Sequence, residues 1–193
     1  MKVEALTGTA IAPAIPTLAA LRIRVFAEWP YLYDGDLDYE EAYLREFAAA
    51  RDAVLVVARD GDSIVGASTA SPMAEQAVEI AGPVAAAGFD PSTICYFGES
   101  VLLPGYRGRG IGHAFFDQRE AHARSVGLTH AMFAAVIRPE DHTTRPAAYR
   151  PLDAFWQARG YAPVEGLTCS ITWQDHGEAG ESPKPLQFWQ RQL

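Results

Sequence analysis

The chain has 193 residues, of which 49% are hydrophobic and 21% charged. This length and composition are typical of one globular domain, which we assign to residues 1–193. The net charge of −8 argues against a general nucleic-acid-binding protein, because phosphate contacts need a basic surface. No run approaches the ~20 apolar residues of a membrane span, and residues 1–20 lack the basic region and unbroken apolar run of a secretory signal. We therefore expect a cytoplasmic protein that binds neither nucleic acid nor membranes.

The cysteines and histidines indicate neither a disulfide nor a metal site. Cys95 and Cys169 are the only cysteines, and each lies in an apolar, strand-like stretch, so we predict two buried thiols. The five histidines are scattered without ligand-like spacing. No metal is therefore expected.

Hydrophobic periodicity and turn residues predict an α/β chain. Helices are predicted over residues 17–28, 39–50, 74–87, 111–126 and 151–159. Strands are predicted over residues 53–58, 63–70, 94–103, 129–137, 167–173 and 186–193. We expect Gly82-Pro83 to break the third helix, residues 175–185 to form a polar loop, and the last strand to lie at an edge or end of the sheet. Strand 94–103, helix 111–126 and strand 129–137 then form one βαβ unit with parallel strands.

The most informative segment joins that strand to that helix and reads Tyr106-Arg107-Gly108-Arg109-Gly110-Ile111-Gly112. Its three alternate glycines lack the Cβ atoms that would keep a ligand away from the backbone N–H groups. Together with the positive end of the helix, these N–H groups form a site for a diphosphate. Residues 104–127 carry four arginines against two acidic residues, which adds a favourable local field for an anion.

The spacing within this loop narrows the choice of ligand. A P-loop would require Gly-Lys-Ser/Thr, and a dinucleotide fingerprint would require a small residue where His113 stands. The pattern Arg107-x-x-Gly110-x-Gly112 instead resembles the Arg/Gln-x-x-Gly-x-Gly/Ala motif of the GNAT superfamily of acetyl-CoA-dependent N-acetyltransferases. The preceding Val101-Leu102-Leu103-Pro104 resembles the strand end before that motif, and residues 155–161 resemble the end of the family's fourth helix.

The resemblance implies a central mixed β-sheet of about six to seven strands flanked by helices. It implies acetyl-CoA as acyl donor, no metal, and direct transfer in a ternary complex to a primary amine of a small molecule or peptide. It also implies that the backbone of Val101, Leu102 and Leu103 pairs with the pantetheine amides like an added strand. The residues implied to hold the pyrophosphate are Arg107, Gly108, Arg109, Gly110, Ile111 and Gly112.

Acetyl transfer requires a neutral amine, yet an alkylamine has a pKa of about 10.4 in water, so a base is needed. Glu99 lies in the strand where members of the superfamily often carry an acidic residue facing the acetyl group, and it is our candidate base. Other candidates are Glu140, Asp141 and His142, which follow the next strand.

The general acid is less clear from the sequence. The superfamily commonly protonates the leaving thiolate with a tyrosine on the fourth helix, and the corresponding position here is Trp156, which has no acidic proton. Tyr149 and Tyr161 flank this helix, and Tyr149 is our candidate. A thiolate, whose conjugate acid has a pKa of about 8.5, can also leave unaided.

The acceptor and the wider function stay open at this stage. In the superfamily the first two helices and their loop wall the acceptor site, and here residues 28–46 carry seven acidic residues against Arg45 alone. These acidic residues either attract a cationic amine or, for most of them, form a solvated face. Tyr31 and Tyr33 line a pocket or cap the core, and helix 74–87 looks like an insertion. The alternative functions are a non-catalytic acyl-CoA-binding or sensor module and a protein that uses the loop for another nucleotide. The oligomeric state is a separate question, for which the last strand offers exchange between the subunits of a homodimer.

Overall fold

The computed structural model describes residues 1–193, which build one seven-stranded sheet with helices on both faces. The strands are β1 (Lys2–Thr7), β2 (Val54–Asp60), β3 (Ser63–Pro72), β4 (Ile94–Leu102), β5 (His130–Val136), β6 (Ala162–Trp173) and β7 (Ser182–Gln192). The α-helices are α1 (Ile15–Phe26), α2 (Leu37–Ala49), α3 (Val78–Ala86), α4 (Ile111–Ser125) and α5 (Asp153–Ala158). The strand order is β1-β2-β3-β4-β5-β7-β6.

The sheet is mixed, as predicted. Strands β4 and β5 are parallel and joined through α4, whereas every other neighbouring pair is antiparallel. The mid-chain βαβ unit and the seven strands confirm the expected fold class. Cys95 and Cys169 are both buried and free, also as predicted.

Each face of the sheet has its own apolar core, because successive strand residues point to opposite faces. On one face, Cys95 and Phe97 of β4 pack with Phe115 and Phe116 of α4. On the other face, Val101 of β4 packs with residues of α1 and α2. Farther along this second face, Tyr96 packs with residues of α3, β6 and β7.

The first strand is absent from our predictions. Residues Lys2–Thr7 pair antiparallel with β2, although the mixed sequence Lys-Val-Glu-Ala-Leu-Thr buries only part of its side chains. An edge strand that is covered on one side shows only a weak alternation of apolar and polar residues, so the sequence pattern does not predict this strand.

The last two strands differ from the prediction in length and in position. Strand β6 begins at Ala162 and shifts its register before Thr168, so its irregular first half does not alternate. Strand β7 begins at Ser182, inside the segment predicted as a loop, and it lies between β5 and β6. The expectation that the last strand forms an edge is therefore wrong: its two neighbours cover it on both sides.

The predicted break in the third helix is also wrong. Helix α3 runs through Gly82-Pro83 from Val78 to Ala86, and residues 73–75 form a separate 3-10 turn before it. Pro83 is the sixth of nine helical residues, so its missing N–H removes one helical hydrogen bond but does not end the helix.

One segment, Gly8–Phe26, is long and apolar enough to span a membrane by length and composition alone. Only its second part is the α-helix α1, which buries Ile15, Leu18, Ala19 and Leu21. The same helix carries Arg22 and Arg24. Core helices meet the same criterion, and α1 packs as one of them.

Candidate functional site

The two parallel strands stop pairing partway along their length, and we call the opening between their unpaired edges the cleft. Strand β4 pairs with β5 only through Ile94, Cys95 and Tyr96, whereas β4 continues to Leu102 and β5 to Val136. Beyond Tyr96 the facing edges of the two strands are not paired with each other. Such a splay leaves backbone groups of β4 available to an extended ligand.

A β-bulge in β4 directs Glu99 into the side of the cleft that faces α1. The register of β4 against β3 shifts between the Ser68–Ser100 and Ala70–Phe97 pairs, so two residues, Gly98 and Glu99, stand opposite Thr69. The extra residue reverses the alternation. Without it, Glu99 would share the α4 face with Phe97.

Gly98 and Thr69 fit this bulge closely. A Cβ atom at Gly98 would lie 2.6 Å from Thr69 Oγ1, and the same oxygen accepts the Glu99 N–H at 3.2 Å. From the opposite face the buried guanidinium of Arg119 donates to the carbonyls of Thr69 and Glu99, both at 3.3 Å. Burial lowers the pKa of Arg119 to about 10, so it is charged at neutral pH. The bulge is thus held from both faces of the sheet.

The glycine loop lies at the end of β4 and presents a row of free backbone donors. Gly108 and Gly110 have φ values of +74° and +80°, which glycine adopts without the steric cost that other residues bear. None of the N–H groups of residues 108–113 donates to a backbone or side-chain acceptor. Six consecutive N–H groups at the N-terminus of a 15-residue helix form a cradle for an anion.

The other predicted cofactor-binding residues lie beside this cradle. Val101 is fully buried, whereas Leu102 and Leu103 are partly exposed. The Leu102 carbonyl accepts Arg107 Nε at 3.1 Å, and Arg107 Nη2 donates to Glu28 at 2.9 Å. The guanidinium of Arg109 lies 5.2 Å from the centre of the Tyr106 ring. The guanidinium of Arg107 is thus paired with the carboxylate of Glu28, which follows α1.

Glu99 is buried and its two carboxylate oxygens differ. Only 7% of the residue is exposed. Its Oε2 lies 2.7 Å from Arg22 Nη1, whereas its Oε1 is buried and has no hydrogen-bond partner. The carboxylate therefore keeps one oxygen free to accept a proton or a hydrogen bond.

Arg22 and Glu40 are site residues that sequence reasoning missed. Arg22 Nε donates to Glu40, which is 1% exposed although it lies in the acidic run predicted to be mostly solvated. Burial alone lowers the pKa of Arg22, but the charges of Glu99 and Glu40 outweigh that effect and raise it. The available signal was a lone charge on an apolar stripe, because Arg22 stands four residues from both Leu18 and Phe26.

Tyrosines surround the Arg22–Glu99 pair. Burial, with a smaller contribution from the charge of Glu99, raises the pKa of Tyr31 to about 12 and raises the pKa of Tyr96 well above its usual value. Tyr43 exposes 38% of its surface, yet its ring lies 4.7 Å from the Arg22 guanidinium. Loss of water around its hydroxyl and the charge of Glu99 raise its pKa too. All three phenols therefore stay protonated at neutral pH.

Tyr149 lies at the rim of this tyrosine group. Its ring meets Trp29 edge-on with ring centres 5.9 Å apart. It is also one of the groups that raise the pKa of Tyr31. Burial and the nearby Asp153 raise the pKa of Tyr149. His142 also packs on Trp29, with ring centres 5.0 Å apart, and its Nδ1 accepts from the Thr144 N–H at 3.3 Å.

Trp156 belongs to the apolar core on the α4 face. Its ring lies 4.9 Å from Phe133 and 5.1 Å from Trp189. Tyr161, the other tyrosine near α5, is buried with its hydroxyl donating to Glu120 at 3.0 Å. Among the tyrosines near α5, Tyr149 is thus the one that packs toward the cleft. The structure contains no group of three or more potential metal ligands.

Solved structures resemble this fold over the whole chain. A ribosomal-protein-alanine N-acetyltransferase from Brucella melitensis is 16% identical, with both chains fully covered and a TM-score of 0.62. The yncA protein of Salmonella typhimurium, solved with its cofactor acetyl-CoA, is 12% identical over 100% of this chain and 95% of its own, with a TM-score of 0.60. An aminoglycoside 6'-N-acetyltransferase complexed with coenzyme A is 17% identical over 100% and 97% of the two chains, with a TM-score of 0.59. At these identities the likeness shows the fold.

Family membership follows from the sequence match. No curated protein matches this chain, but the family model described as Acetyltransferase (GNAT) family matches residues 23–152. This segment begins one residue after Arg22 and ends before Trp156. It includes the end of α1, the bulge with Glu99 and the whole glycine loop. The chain belongs to the GNAT family of acetyltransferases.

Proposed function

We propose that this acetyltransferase moves the acetyl group of acetyl-CoA directly to a primary amine, with both substrates bound at once. The observation that carries the proposal is the row of six unpaired N–H groups at residues 108–113. The row follows the end of β4, whose edge toward β5 is unpaired beyond Tyr96. A pyrophosphate would accept these N–H groups. The backbone of Val101, Leu102 and Leu103 would then pair with the pantetheine arm. The solved relatives that carry acetyl-CoA or coenzyme A support this assignment.

Glu99 is the proposed base. In the reaction the amine nitrogen attacks the thioester carbon, the C–S bond breaks, and the proton of the attacking amine moves to Oε1 of Glu99, directly or through a water molecule. Oε1 has no other partner, and Arg22 holds Oε2 in place at 2.7 Å. Geometry and charge thus support this role, with Arg22 as a positioning residue.

Tyr149 is the proposed donor of a proton to the leaving thiolate. A tyrosine phenol carries its proton at neutral pH, which a general acid requires, and burial raises the pKa of Tyr149 further. Trp156 has no such proton to give. The proposal predicts that Tyr149→Phe lowers the rate of acetyl transfer by a larger factor than it lowers the affinity for acetyl-CoA.

The test combines binding and turnover. Calorimetry with acetyl-CoA, CoA and NAD measures which ligand the cradle accepts, and we expect acetyl-CoA and CoA to bind and NAD not to bind. Thiol release is then followed on a panel of primary amines. In double-reciprocal plots of the initial rate, intersecting lines are expected for a ternary complex, whereas parallel lines would indicate an acetylated enzyme. Acetyl-CoA binding with no turnover on any amine would favour the non-catalytic sensor module.

A further inference from the structure

The charges beside Glu99 carry an inference about the acceptor, which rests on the proposed function. Arg22 is the cation that contacts Glu99, and it is shared with Glu40, so two carboxylates face one guanidinium. Their side chains are 4% and 1% exposed, and that of Arg22 is 12% exposed. This group of three side chains has a net charge of −1 and little water to screen it.

We propose that the acceptor is an amine whose neighbouring carbon bears no carboxylate: an alkylamine, a side-chain amine or a peptide N-terminus, and not a free α-amino acid. Such an amine enters as an ammonium ion, which supplies the donor that Glu99 Oε1 lacks and balances the net charge. A free α-amino acid would bring a carboxylate to the same place. One guanidinium would then face three carboxylates, and like charges placed together disfavour binding strongly.

The other nearby arginines do not relieve this repulsion. Arg119 lies on the opposite face of the sheet, where it donates to backbone carbonyls. Arg138 is bound to both oxygens of Asp175 at 2.6 and 2.9 Å, and Arg107 is paired with Glu28. Arg145 has no carboxylate partner, but its guanidinium lies over Tyr149 at the rim.

The aromatic rings around the pair favour the same class of ligand. Tyr43 and Phe26 already flank the Arg22 guanidinium, with ring centres 4.7 and 5.1 Å away. Tyr31 and Tyr96 add further rings whose hydroxyls stay protonated. Rings with neutral hydroxyls attract cations to their faces and give a carboxylate no charge to pair with.

The test uses matched pairs of compounds that differ only in the carboxylate and carry a single amine: phenethylamine with phenylalanine, tryptamine with tryptophan, and 3-methylbutylamine with leucine. Thiol release is measured at saturating acetyl-CoA, and binding of each compound to the protein–CoA complex is measured by calorimetry. We expect kcat/KM and affinity to favour the decarboxylated member of each pair by at least about tenfold, which corresponds to about 1.4 kcal/mol. Equal or better use of the amino acids would overturn the proposal, and so would the absence of binding by every amine.

A variant pair tests the charge argument itself. Glu40→Gln leaves one carboxylate on Arg22, and we expect the preference for the decarboxylated member to fall at least about fivefold. Glu46→Gln removes the same charge from the exposed side of the same helix and should leave the preference unchanged. An equal effect of both variants would mean that Glu40 has no local role. If acetyl-CoA fails to bind the wild-type protein, that result contradicts the proposed function and not the choice of acceptor, so the two failures can be told apart.

Discussion

Arg22 Nη1 on α1 lies 2.7 Å from Glu99 Oε2 on β4, so the first helix holds the carboxylate that we propose as the base. Both side chains are largely buried, and removing one partner of such a pair leaves an uncompensated charge in the interior. The position of α1 and the orientation of Glu99 therefore depend on each other. A substrate that displaces α1 would also displace the base.

Gly110→Asp should abolish acetyl-CoA binding. Gly110 precedes α4 with φ at +80°, and an aspartate there would place a side chain and a negative charge within the row of N–H groups that we assign to the pyrophosphate. Calorimetry with acetyl-CoA measures the loss directly.

Gly127→Asp is the matched control for that variant. Gly127 follows the same helix with φ at +82° and is also exposed, with no atom within 4 Å of a Cβ built on either residue. The backbone strain of the two variants is therefore similar, and only the position differs. Unchanged affinity in a folded Gly110→Asp protein, or equal losses in both variants, would show that the cradle is assigned wrongly.

Arg107→Ala should weaken acetyl-CoA binding by about 1–3 kcal/mol, the usual scale of a hydrogen bond to a charged group. Its guanidinium lies beside the cradle but is shared with Glu28 at 2.9 Å, so Glu28→Gln should leave the affinity equal or higher. The affinity of the wild type should fall as salt rises.

Arg124→Ala removes the same charge from the last turn of α4 and serves as the comparison for Arg107→Ala. Its effect on affinity should be small, because the charge lies at the far end of the helix. Equal losses in the two variants, or an affinity that ignores salt, would argue that Arg107 makes no phosphate contact.

The features that the sequence predicted correctly are encoded within short segments. The glycine loop joins a strand to the helix that follows it, as its seven-residue pattern predicts, whereas its role in cofactor binding stays a prediction. The βαβ unit was predictable for the same reason, since its strands are apolar runs on either side of one amphipathic helix. Local pattern was enough in both cases.

The parts that the sequence did not predict depend on contacts between distant segments. Arg22 and Glu40 join Glu99 only after two helices pack on the sheet, and Glu40 by itself belongs to an acidic run that predicts a mostly solvated face. The bulge at Gly98 and Glu99 arises from pairing with Thr69, which no local pattern reveals. In β7, Pro183 and Pro185 read as loop residues because proline cannot donate to a sheet ladder. Pairing with β5 and β6 overrides that local preference.

Glu178→Gln should make the protein less stable at neutral pH but not in strong acid. Hydrogen bonds from Lys184, together with the Asp175 N–H and Ser182, lower the pKa of Glu178 to about 2 from a usual value of 4.5. A lowered pKa in the folded state means that the carboxylate stabilises the fold above about pH 4.5, and that this contribution disappears as the pH falls toward 2. Melting temperatures of both proteins from pH 7 downward should therefore converge in acid.

Glu181→Gln is the control for that pH dependence. Glu181 is an exposed carboxylate three residues away, and it forms no ion pair, so its removal should shift the melting temperature little at any pH. A constant difference between Glu178→Gln and wild type down to pH 2 would contradict the assigned pKa.

Glu99→Gln should lower kcat/KM by roughly 10²–10⁴-fold, the usual contribution of a general base. The amide keeps the shape of the side chain and can still accept a hydrogen bond from Arg22, but it cannot take the proton of the amine. Acetyl-CoA affinity should hardly change, because the N–H row that we assign to the pyrophosphate is backbone that the Glu99 side chain does not contact. Rates with any accepted amine and calorimetry with acetyl-CoA measure the two effects independently.

The pH profile separates a base from a merely structural glutamate. If Glu99 takes the proton, the rate of the variant should recover partly as the pH rises toward the pKa of the amine, since the neutral nucleophile then forms without help. A loss of thermal stability is expected in either case, because the variant removes the buried charge that faces Arg22. If Glu99 only balances that charge, the rate should show no recovery at high pH, because the defect then lies in the position of α1 and not in proton transfer. Near-wild-type turnover in the variant would remove Glu99 as the base. Asp141, Glu140 and His142, on the loop that follows β5, would then be the next carboxylates and imidazole to replace.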